Sequence, residues 1–297
     1  MPMTVTGAIY NDKTRECERR CMIPPIASRF VAGETPAEAL EYTRDLNQRN
    51  VNVILNLLGE HYHERGPADE DAEVYLRLLE DIERSDLSAC VSVKPSQVGL
   101  DVGTHVYRDN MERIADAADD TFVWIDMEDH TTTDATLDLF EQLTLEHDGG
   151  VGVCVQANLK RTKEDLERLA DLPGKVRLVK GAYDEPPELA YKEKERVNAA
   201  YREYLEFMFE EFDGGIAVGS HDPAMIEYAT ELHDEYGTDF EIQMLMGVRE
   251  DAQMELAEEY EVWQYVPYGG KWMSYFYRRA MERKENLLFA ARAVLGR

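Results

Sequence analysis

The sequence contains few cysteines and no long uncharged apolar segment. Only four of its 297 residues are cysteine, namely Cys17, Cys21, Cys90 and Cys154, and no two of them have the CxxC spacing that is typical of zinc sites. Cys90 and Cys154 lie within apolar runs, which favours reduced thiols in a protein core. No stretch reaches the length of a membrane-spanning helix, and no signal peptide opens the chain. We therefore expect a soluble protein of the cytoplasm.

Positive charge is also scarce. The chain has 32 lysines and arginines, of which ten are lysines, against 60 aspartates and glutamates, and its net charge is -28. This balance argues against nucleic-acid binding, which needs an excess of lysine and arginine at the phosphates. An anionic lipid surface would repel the chain, so association with the inner face of the membrane is expected to be peripheral at most. Because the acidic residues are spread along the whole chain, we expect a halophilic protein whose self-repulsion is screened by concentrated salt.

Apolar strand candidates alternate regularly with helical patterns. The strands are predicted to begin near Val51, Ala89, Thr121, Val151, Val176, Gly215, Phe240 and Val262. The helical patterns cover residues 69–85, 107–119, 134–146, 163–172, 188–212, 223–236 and 249–260, and a last one starts near residue 272. Eight such units predict an α/β protein whose parallel sheet closes into a (βα)8 barrel of the TIM type. A doubly wound open sheet is the alternative, but it usually breaks the count or adds an antiparallel edge strand.

We found no linker or repeat that divides the chain, so we predict a single domain over residues 1–297. Residues 1–50 are expected to form a helical lead-in, with a helix that starts at Thr35, Pro36 and Ala37 and runs to about Gln48. The barrel is predicted for residues 51–283, and an extra helical tail for residues 284–297.

Residues 265–282, YVPYGGKWMSYFYRRAME, join the last strand to a helix through a proline and two glycines. On that helix Tyr275, Arg278, Arg279 and Glu282 share one stripe, since their spacing is i, i+3, i+4 and i+7. Two adjacent guanidiniums suit a carboxylate or a phosphate. The alternative is a solvated helix face with an Arg278–Glu282 ion pair, which would stabilise the helix by only about 0.3 kcal/mol.

Polar side chains follow nearly every predicted strand, at the barrel end where the active sites of such folds lie. The densest segment is RLVKGAY at residues 177–183, in which Gly181 allows close backbone approach to a ligand. No GxGxxG follows the first strand, so a dinucleotide would not bind in the Rossmann manner. His61 and His63 have the spacing of metal ligands, but the later strands add only His221 and the eighth offers Tyr265, so we expect no metal site.

In combination and in this order, these segments resemble the proline dehydrogenase family, including the proline dehydrogenase half of the bifunctional proline-utilisation flavoproteins. The similarity runs from LLGE at residues 57–60, through RLVKGAY at 177–183 and FEIQMLMG at 240–247, to the corner that ends in RRxxE at 278–282. It implies a distorted (βα)8 barrel that holds FAD and oxidises L-proline to 1-pyrroline-5-carboxylate. A quinone or another carrier would then receive the electrons.

The resemblance also implies residue roles. Asp126 would be the active-site aspartate, Arg177 would act on the flavin, and Glu60 would be a loop acid that closes the site. The proline pocket would be formed by Lys94, Leu245, Tyr265, Tyr275, Arg278, Arg279 and Glu282. The flavin would be held by Met127, Gln156, Arg177, Lys180, Gly181, Ala182, Ser220 and His221. Ser220 stands where threonine is usual, and Asp184 follows Tyr183 where an aromatic residue is common.

Two other interpretations fit the same barrel. A flavin enzyme of the methylenetetrahydrofolate reductase kind would share the fold and FAD, although paired arginines and Lys94 favour a small amino acid over a pterin. A barrel that serves only as a scaffold would have lost the polar residues at its strand ends, and this chain keeps them.

Overall fold

The computed structural model describes Ile23, residues 27–273 and Tyr275. Eight parallel strands form a closed barrel in sequence order, with β8 paired back onto β1. The strands are β1 (Val51–Leu57), β2 (Ala89–Val93), β3 (Val123–Ile125), β4 (Val151–Gln156), β5 (Lys175–Val179), β6 (Ile216–Gly219), β7 (Phe240–Leu245) and β8 (Val262–Tyr268). The predicted closed barrel is confirmed, and the open sheet is excluded.

Helices alternate with the strands and surround the barrel. They are α1 (Pro36–Asn47), α2 (Arg65–Glu83), α3 (Thr104–Asp116), α4 (Thr133–Glu146), α5 (Thr162–Leu169), α6 (Lys194–Glu211), α7 (Pro223–Tyr236) and α8 (Glu250–Leu256). Trp272, Met273 and Tyr275 are helical, in agreement with a helix that starts near residue 272. Arg278, Arg279, Glu282 and the predicted tail at 284–297 lie outside the described residues.

Helix α1 belongs to the lead-in and packs against β1 and β8. It starts as its sequence predicts, because the Thr35 hydroxyl accepts from the Glu38 amide while the Glu38 carboxylate accepts from the Thr35 amide. Pro36 occupies the first turn, where its missing N–H costs nothing. A short 3-10 helix, Ala27–Arg29, precedes it.

Helix α6 begins at Lys194, six residues later than the helical pattern at 188–212 predicts. The preceding segment is paired instead with the turn after β4. The Tyr191 amide donates to the Asn158 carbonyl at 2.8 Å, and the Lys160 amide donates to the Leu189 carbonyl at 2.9 Å. These backbone groups are satisfied by a distant part of the chain, so they are not available to a helix.

Alternate residues of each strand face outward and form the main core. The outward set is rich in valine, including Val53, Val91, Val123 and Val153, and packs against the surrounding helices. The inward set is mixed. Ile54, Cys90, Trp124 and Ala217 form one apolar cluster inside the barrel, while buried polar residues fill the remaining lumen. The barrel therefore has an apolar outer layer and a partly polar interior that leads to the carboxyl ends of the strands.

Candidate active site

A cavity of about 310 Å³ opens at the carboxyl ends of the strands. Its walls are formed by residues of β4 to β8 and of the loops after β3, β5 and β6. Ten of the residues predicted for the site line it: Asp126, Met127, Gln156, Arg177, Lys180, Gly181, Ala182, His221, Leu245 and Tyr265. The fold thus brings residues predicted at strand ends into one cavity, although they are up to 139 positions apart in the sequence.

Asp126 follows β3 directly and accepts hydrogen bonds from three other strands. Its Oδ1 accepts from the Ser92 hydroxyl at 2.6 Å and from Arg177 Nη2 at 2.5 Å, and its Oδ2 accepts from the Tyr265 hydroxyl at 2.6 Å. Burial alone would raise the pKa of Asp126, but the charges of Arg177 and Lys94 and the two hydroxyl donors outweigh it, and the pKa is lowered. Asp126 is therefore an ionised carboxylate at neutral pH.

Arg177 lies in the middle of β5, two residues before the strand ends, and not at the strand end as the sequence suggested. Its guanidinium lies 4.9 Å from the centre of the Trp124 ring and 5.6 Å from that of Tyr265. Besides Asp126, it donates to the Gln243 side-chain carbonyl at 2.9 Å. Although burial lowers the pKa of Arg177, the neighbouring Cys154 and Asp126 raise it, so the charge persists in the lumen.

Lys94 follows β2 next to this cluster but does not line the cavity. Its ammonium donates to Asn56 Oδ1 at 3.1 Å, and Asn56 Nδ2 donates to the Ser92 carbonyl at 2.9 Å. Asn56 is fully buried, and both of its polar atoms are engaged. The amide therefore holds Lys94 on the β1 side of the barrel mouth.

The turn after β5 requires glycine. Gly181 has φ +100°, and a Cβ on it would lie 2.2 Å from Asn158 Oδ1. Lys180, just before it, binds Asp222 Oδ2 and Asn198 Oδ1, each at 2.7 Å. The hydrogen bond from Lys180 lowers the pKa of Asp222. The turn is thus fixed between β4, α6 and the loop after β6.

The loop after β6 brings His221 to the cavity. The Leu245 amide donates to His221 Nε2 at 3.3 Å, which makes Nε2 the unprotonated ring nitrogen, and Arg249 donates to the His221 carbonyl at 2.7 Å. Ser220 is buried and does not line the cavity, and its hydroxyl accepts from the Asp222 amide at 3.2 Å. In this arrangement Ser220 shapes the loop, whereas His221 faces the cavity.

The family model described as "Proline dehydrogenase" matches residues 39–292. The chain belongs to the proline dehydrogenase family. "Proline dehydrogenase 1" of Bacillus subtilis subsp. natto is 33% identical over 276 residues, which cover 91% of this chain and 90% of that protein. "Proline dehydrogenase" of Deinococcus radiodurans is 36% identical over 282 residues, with 91% of this chain and 90% of that protein covered. The match favours proline oxidation over the reductase and scaffold interpretations.

The fold is also that of the proline utilization A structures. The structure from Bdellovibrio bacteriovorus inactivated by N-propargylglycine has a TM-score of 0.78 and 24% identity, and this likeness supports the fold alone. The structure from Corynebacterium freiburgense has a TM-score of 0.73 and 25% identity. Each alignment covers 86% of this chain, which spans about a third of those much longer chains, 32% and 31% respectively.

Proline dehydrogenases depend on FAD, and the residues of this cavity fit that cofactor. The wall combines apolar side chains with the buried Arg177 cation, the arrangement expected for a large aromatic ligand that gains negative charge. The loop 180–183 brings main-chain groups to the cavity, since Gly181 has no side chain and a positive φ. Arg177, Lys180, Gly181 and His221 line this cavity and would be available to hold it.

Several predicted residues lie away from this cavity. Tyr275 is buried against Phe30, Val31 and Leu58, and Glu60 lies half-buried in the loop after β1. His61 Nδ1 contacts Asp101 Oδ2 at 2.9 Å, and this hydrogen bond raises the pKa of His61. Within residues 27–273 the structure contains no group of three or more histidine, cysteine, aspartate or glutamate side chains that could hold a metal ion.

Three residues of the site were assigned no role from the sequence. Ser92 and Gln243 bond directly to the Asp126–Arg177 pair, and Cys154 lines the cavity beside Arg177. The alternation of strand residues was the available signal, because Ser92 shares a face with Lys94 and Gln243 shares one with Leu245. The alternation gives no distance across the barrel, so it could not show that Gln243 on β7 reaches Arg177 on β5.

Proposed function

We propose that this cavity oxidises L-proline to 1-pyrroline-5-carboxylate as the first step of proline catabolism. The observation that carries the proposal is the hydrogen-bonded cluster of Asp126, Arg177 and Tyr265 at the mouth of a barrel whose sequence matches the family along its length. The chemistry that a bound FAD would supply is acceptance of the hydride from the ring carbon next to the proline nitrogen. The protein is left with binding, orientation and the exclusion of water.

Substrate binding is assigned to the mouth of the barrel. Arg278 and Arg279 would hold the carboxylate of proline in two forked contacts, with Lys94 beside them, and Glu282 would also belong to the substrate site. Leu245, Tyr265 and Tyr275 would pack against the ring, and Glu60 would close the site. Lys94 is already oriented by Asn56, which favours this role for its ammonium.

Asp126 is proposed to act as a fixed anion. Its lowered pKa makes it a weak base, so it is suited to holding Arg177 and Tyr265 and not to removing a proton from the substrate. Arg177 then presents a permanent positive charge to the cavity wall, where it would stabilise the reduced cofactor. Met127 through its backbone, Gln156, Lys180, Gly181, Ala182, Ser220 and His221 are proposed to hold the remaining parts of FAD.

The proposal also covers the electron acceptor and the location of the enzyme in the cell. We propose a quinone or another small carrier as the final electron acceptor, and a cytoplasmic enzyme with at most peripheral contact with the membrane. None of the helices in the described part of the chain is both long enough and apolar enough to cross a bilayer. The net charge of -28 supports a high-salt habitat.

The experiment is an anaerobic titration of the purified, FAD-loaded protein with L-proline. Bleaching of the flavin absorbance, with formation of a product that an amine-aldehyde reagent traps, is the expected result. Prolinamide, which lacks the carboxylate, is the control and should bleach the flavin poorly. A protein that holds FAD but is not reduced by L-proline would refute the substrate assignment.

A further inference from the structure

A line of polar side chains, buried except for the half-exposed Lys175, runs through the barrel lumen and ends at Arg177. Lys175, at the start of β5, has its ammonium 2.5 Å from Glu241 Oε2. The other oxygen of Glu241 accepts from Gln243 Nε2 at 2.5 Å, and Gln243 Oε1 accepts from Arg177 Nη1 at 2.9 Å. The line thus connects the amino-terminal end of the barrel with the cavity.

Such a line is an unusual way to fill a barrel. The lumen of this fold is normally packed with branched apolar side chains. Glu241 is 3% exposed and Gln243 is 4% exposed, so both have lost the solvent that would stabilise their polar groups. Replacing a buried ion pair with apolar residues is often neutral or stabilising, so stability is a weak reason for keeping one. Lys175 and Glu241 do not line the cavity, so a direct contact with a ligand does not explain them either.

The orientation of the Gln243 amide gives the explanation. A glutamine amide has one acceptor end and one donor end of nearly the same shape, and its surroundings decide which way it points. The Glu241 carboxylate only accepts, so it requires the NH2 group of Gln243 to face it. The carbonyl oxygen must then face Arg177, which only donates. With the amide reversed, an NH2 group would meet the guanidinium, and no hydrogen bond would form.

The position of Arg177 depends on this acceptor. Its Nη2 is bound by Asp126, with Ser92 further away at 3.4 Å, whereas its Nη1 is bound by Gln243. The two ends of the fork are therefore held by different strands, β7 on one side and the end of β3 on the other. With one end released, the guanidinium could rotate about its contact with Asp126 between the Trp124 and Tyr265 rings.

We propose that Glu241 is a positioning residue for the flavin reaction, which acts through Gln243 to fix the guanidinium of Arg177 at the cavity wall. The inference rests on the proposed function, because it assigns the cavity to FAD and Arg177 to the stabilisation of its reduced form. Lys175 supports the arrangement. Burial raises the pKa of Glu241, and the ammonium of Lys175, 2.5 Å from Oε2, offsets part of that rise.

The test is the variant Glu241→Gln in the FAD-loaded protein. The new amide keeps the size of the side chain but no longer forces the orientation of Gln243. We expect the midpoint potential of the bound flavin to become more negative. The limiting rate of flavin reduction by L-proline should fall about 3- to 10-fold, as for one hydrogen bond lost in the transition state, while the apparent affinity for proline changes less than about twofold.

Gln243→Met is the second variant. It removes the contact with Arg177 and leaves the Lys175–Glu241 ion pair in place, so the potential and the rate should shift in the same direction. If Glu241→Gln does not fold, an unchanged potential and rate in Gln243→Met would still overturn the inference. The matched control is Gln264→Met. Gln264 is a buried glutamine on the outer face of β8, bonded to Tyr42 and Gln253, and its loss should lower the melting temperature without changing the flavin potential.

Failure of this inference and failure of the proposed function would give different results. If Glu241→Gln and Gln243→Met lower the melting temperature as Gln264→Met does but leave the potential and the limiting rate at the parent values, the line is structural and the inference is wrong. If L-proline fails to reduce the flavin of the parent, the proposed substrate is wrong. The potentials, measured against redox dyes without substrate, still report whether Glu241 acts on the cofactor through Arg177.

Discussion

The hydroxyl of Tyr265 donates a hydrogen bond of 2.6 Å to Asp126 and so connects β8 with the end of β3 across the mouth of the barrel. The same carboxylate accepts from Ser92 on β2 and Arg177 on β5. Asp126 therefore connects β2, β3, β5 and β8, which are not all neighbours in the sheet. Its partners stabilise the charged carboxylate, and their removal should appear both in stability and in its pH dependence.

Tyr265→Phe should lower the free energy of unfolding by about 1.5–3 kcal/mol at pH 7, since it removes a hydrogen bond to a charged group. Because the folded pKa of Asp126 is lowered, its contribution is fully present above the unfolded value of about 3.9 and is lost as pH falls through the folded pKa. The difference between parent and variant should therefore be constant near neutrality and shrink below about pH 4. Urea unfolding measured over this pH range checks it.

Tyr268→Phe is the matched control for that prediction. Tyr268 lies three residues further along β8, and its hydroxyl is buried with no hydrogen-bond partner among the described residues. Removing an unsatisfied hydroxyl should change the stability by less than about 0.5 kcal/mol or increase it. If both variants lose the same free energy, the bond to Asp126 is not the cause.

Much of the fold follows from local sequence. Val51, Val151 and Val262 begin strands where the apolar runs begin, because short buried parallel strands are almost continuously apolar. Helix α6 does not follow from its pattern, since Leu189 and Tyr191 pair with the turn after β4. A contact of this kind, over some 30 residues of sequence, leaves no periodic signal.

Part of the site was also predictable from the sequence. Residues at strand ends must meet at one mouth of the barrel, so Asp126, Gln156 and His221 could be grouped from the sequence. The hydrogen bonds of Ser92 and Gln243 depend on the stagger of the strands and on closure, which set distances across the lumen. The roles of Arg278, Arg279, Glu282, Tyr275 and Glu60 remain predictions.

Gly181→Ala should destabilise the protein and weaken FAD binding. A side chain at this position meets two obstacles, a φ of +100° and an overlap with the Asn158 amide at 2.2 Å. The backbone strain alone is of order 1–3 kcal/mol, and the overlap adds to it. The double variant Gly181→Ala/Asn158→Ala removes only the overlap and should recover part of the stability. Thermal unfolding and the FAD content of the purified protein measure both effects.

Gly237→Ala separates the strain from the overlap. Gly237 ends α7 with φ +75°, and a Cβ added to it would have no atom within 4 Å. This change should cost only the strain, about 1 kcal/mol, and should leave FAD content unchanged. Equal losses in Gly181→Ala and Gly237→Ala would contradict a tight approach at Gly181.

Arg278→Ala and Arg279→Ala should each weaken proline binding while FAD stays bound. Each removes a charge-assisted contact worth roughly 1.5–3 kcal/mol, so the apparent affinity should fall by about 10- to 200-fold. Lysine in place of either arginine keeps the charge but loses the fork, and most of the defect should persist. Reductive titration with L-proline measures the affinity. If both alanine variants bind proline as the parent does, these arginines form only a solvated helix face.

The acidic surface predicts that thermal stability rises with salt. Two electrostatic effects oppose each other. Salt screens favourable ion pairs such as those of Arg168 with Asp138 and Glu141, but exposed pairs contribute only about 0–1 kcal/mol each. Salt also screens the repulsion among the acidic residues. The chain has 60 acidic and only 32 basic residues, and the excess of acidic residues extends over the whole chain. The repulsion should dominate.

Three exposed carboxylates on the groove between α7 and α8, those of Glu227, Glu255 and Glu259, allow this to be tested by mutation. Replacing all three with glutamine should raise the melting temperature at low salt and reduce its increase between about 0.1 and 3 M KCl, where the Debye length falls from about 10 Å to below 3 Å. Sucrose at matched osmolality is the control, because it stabilises without screening charge. A parent melting temperature that stays flat or falls with KCl would show that repulsion does not limit the stability of this protein.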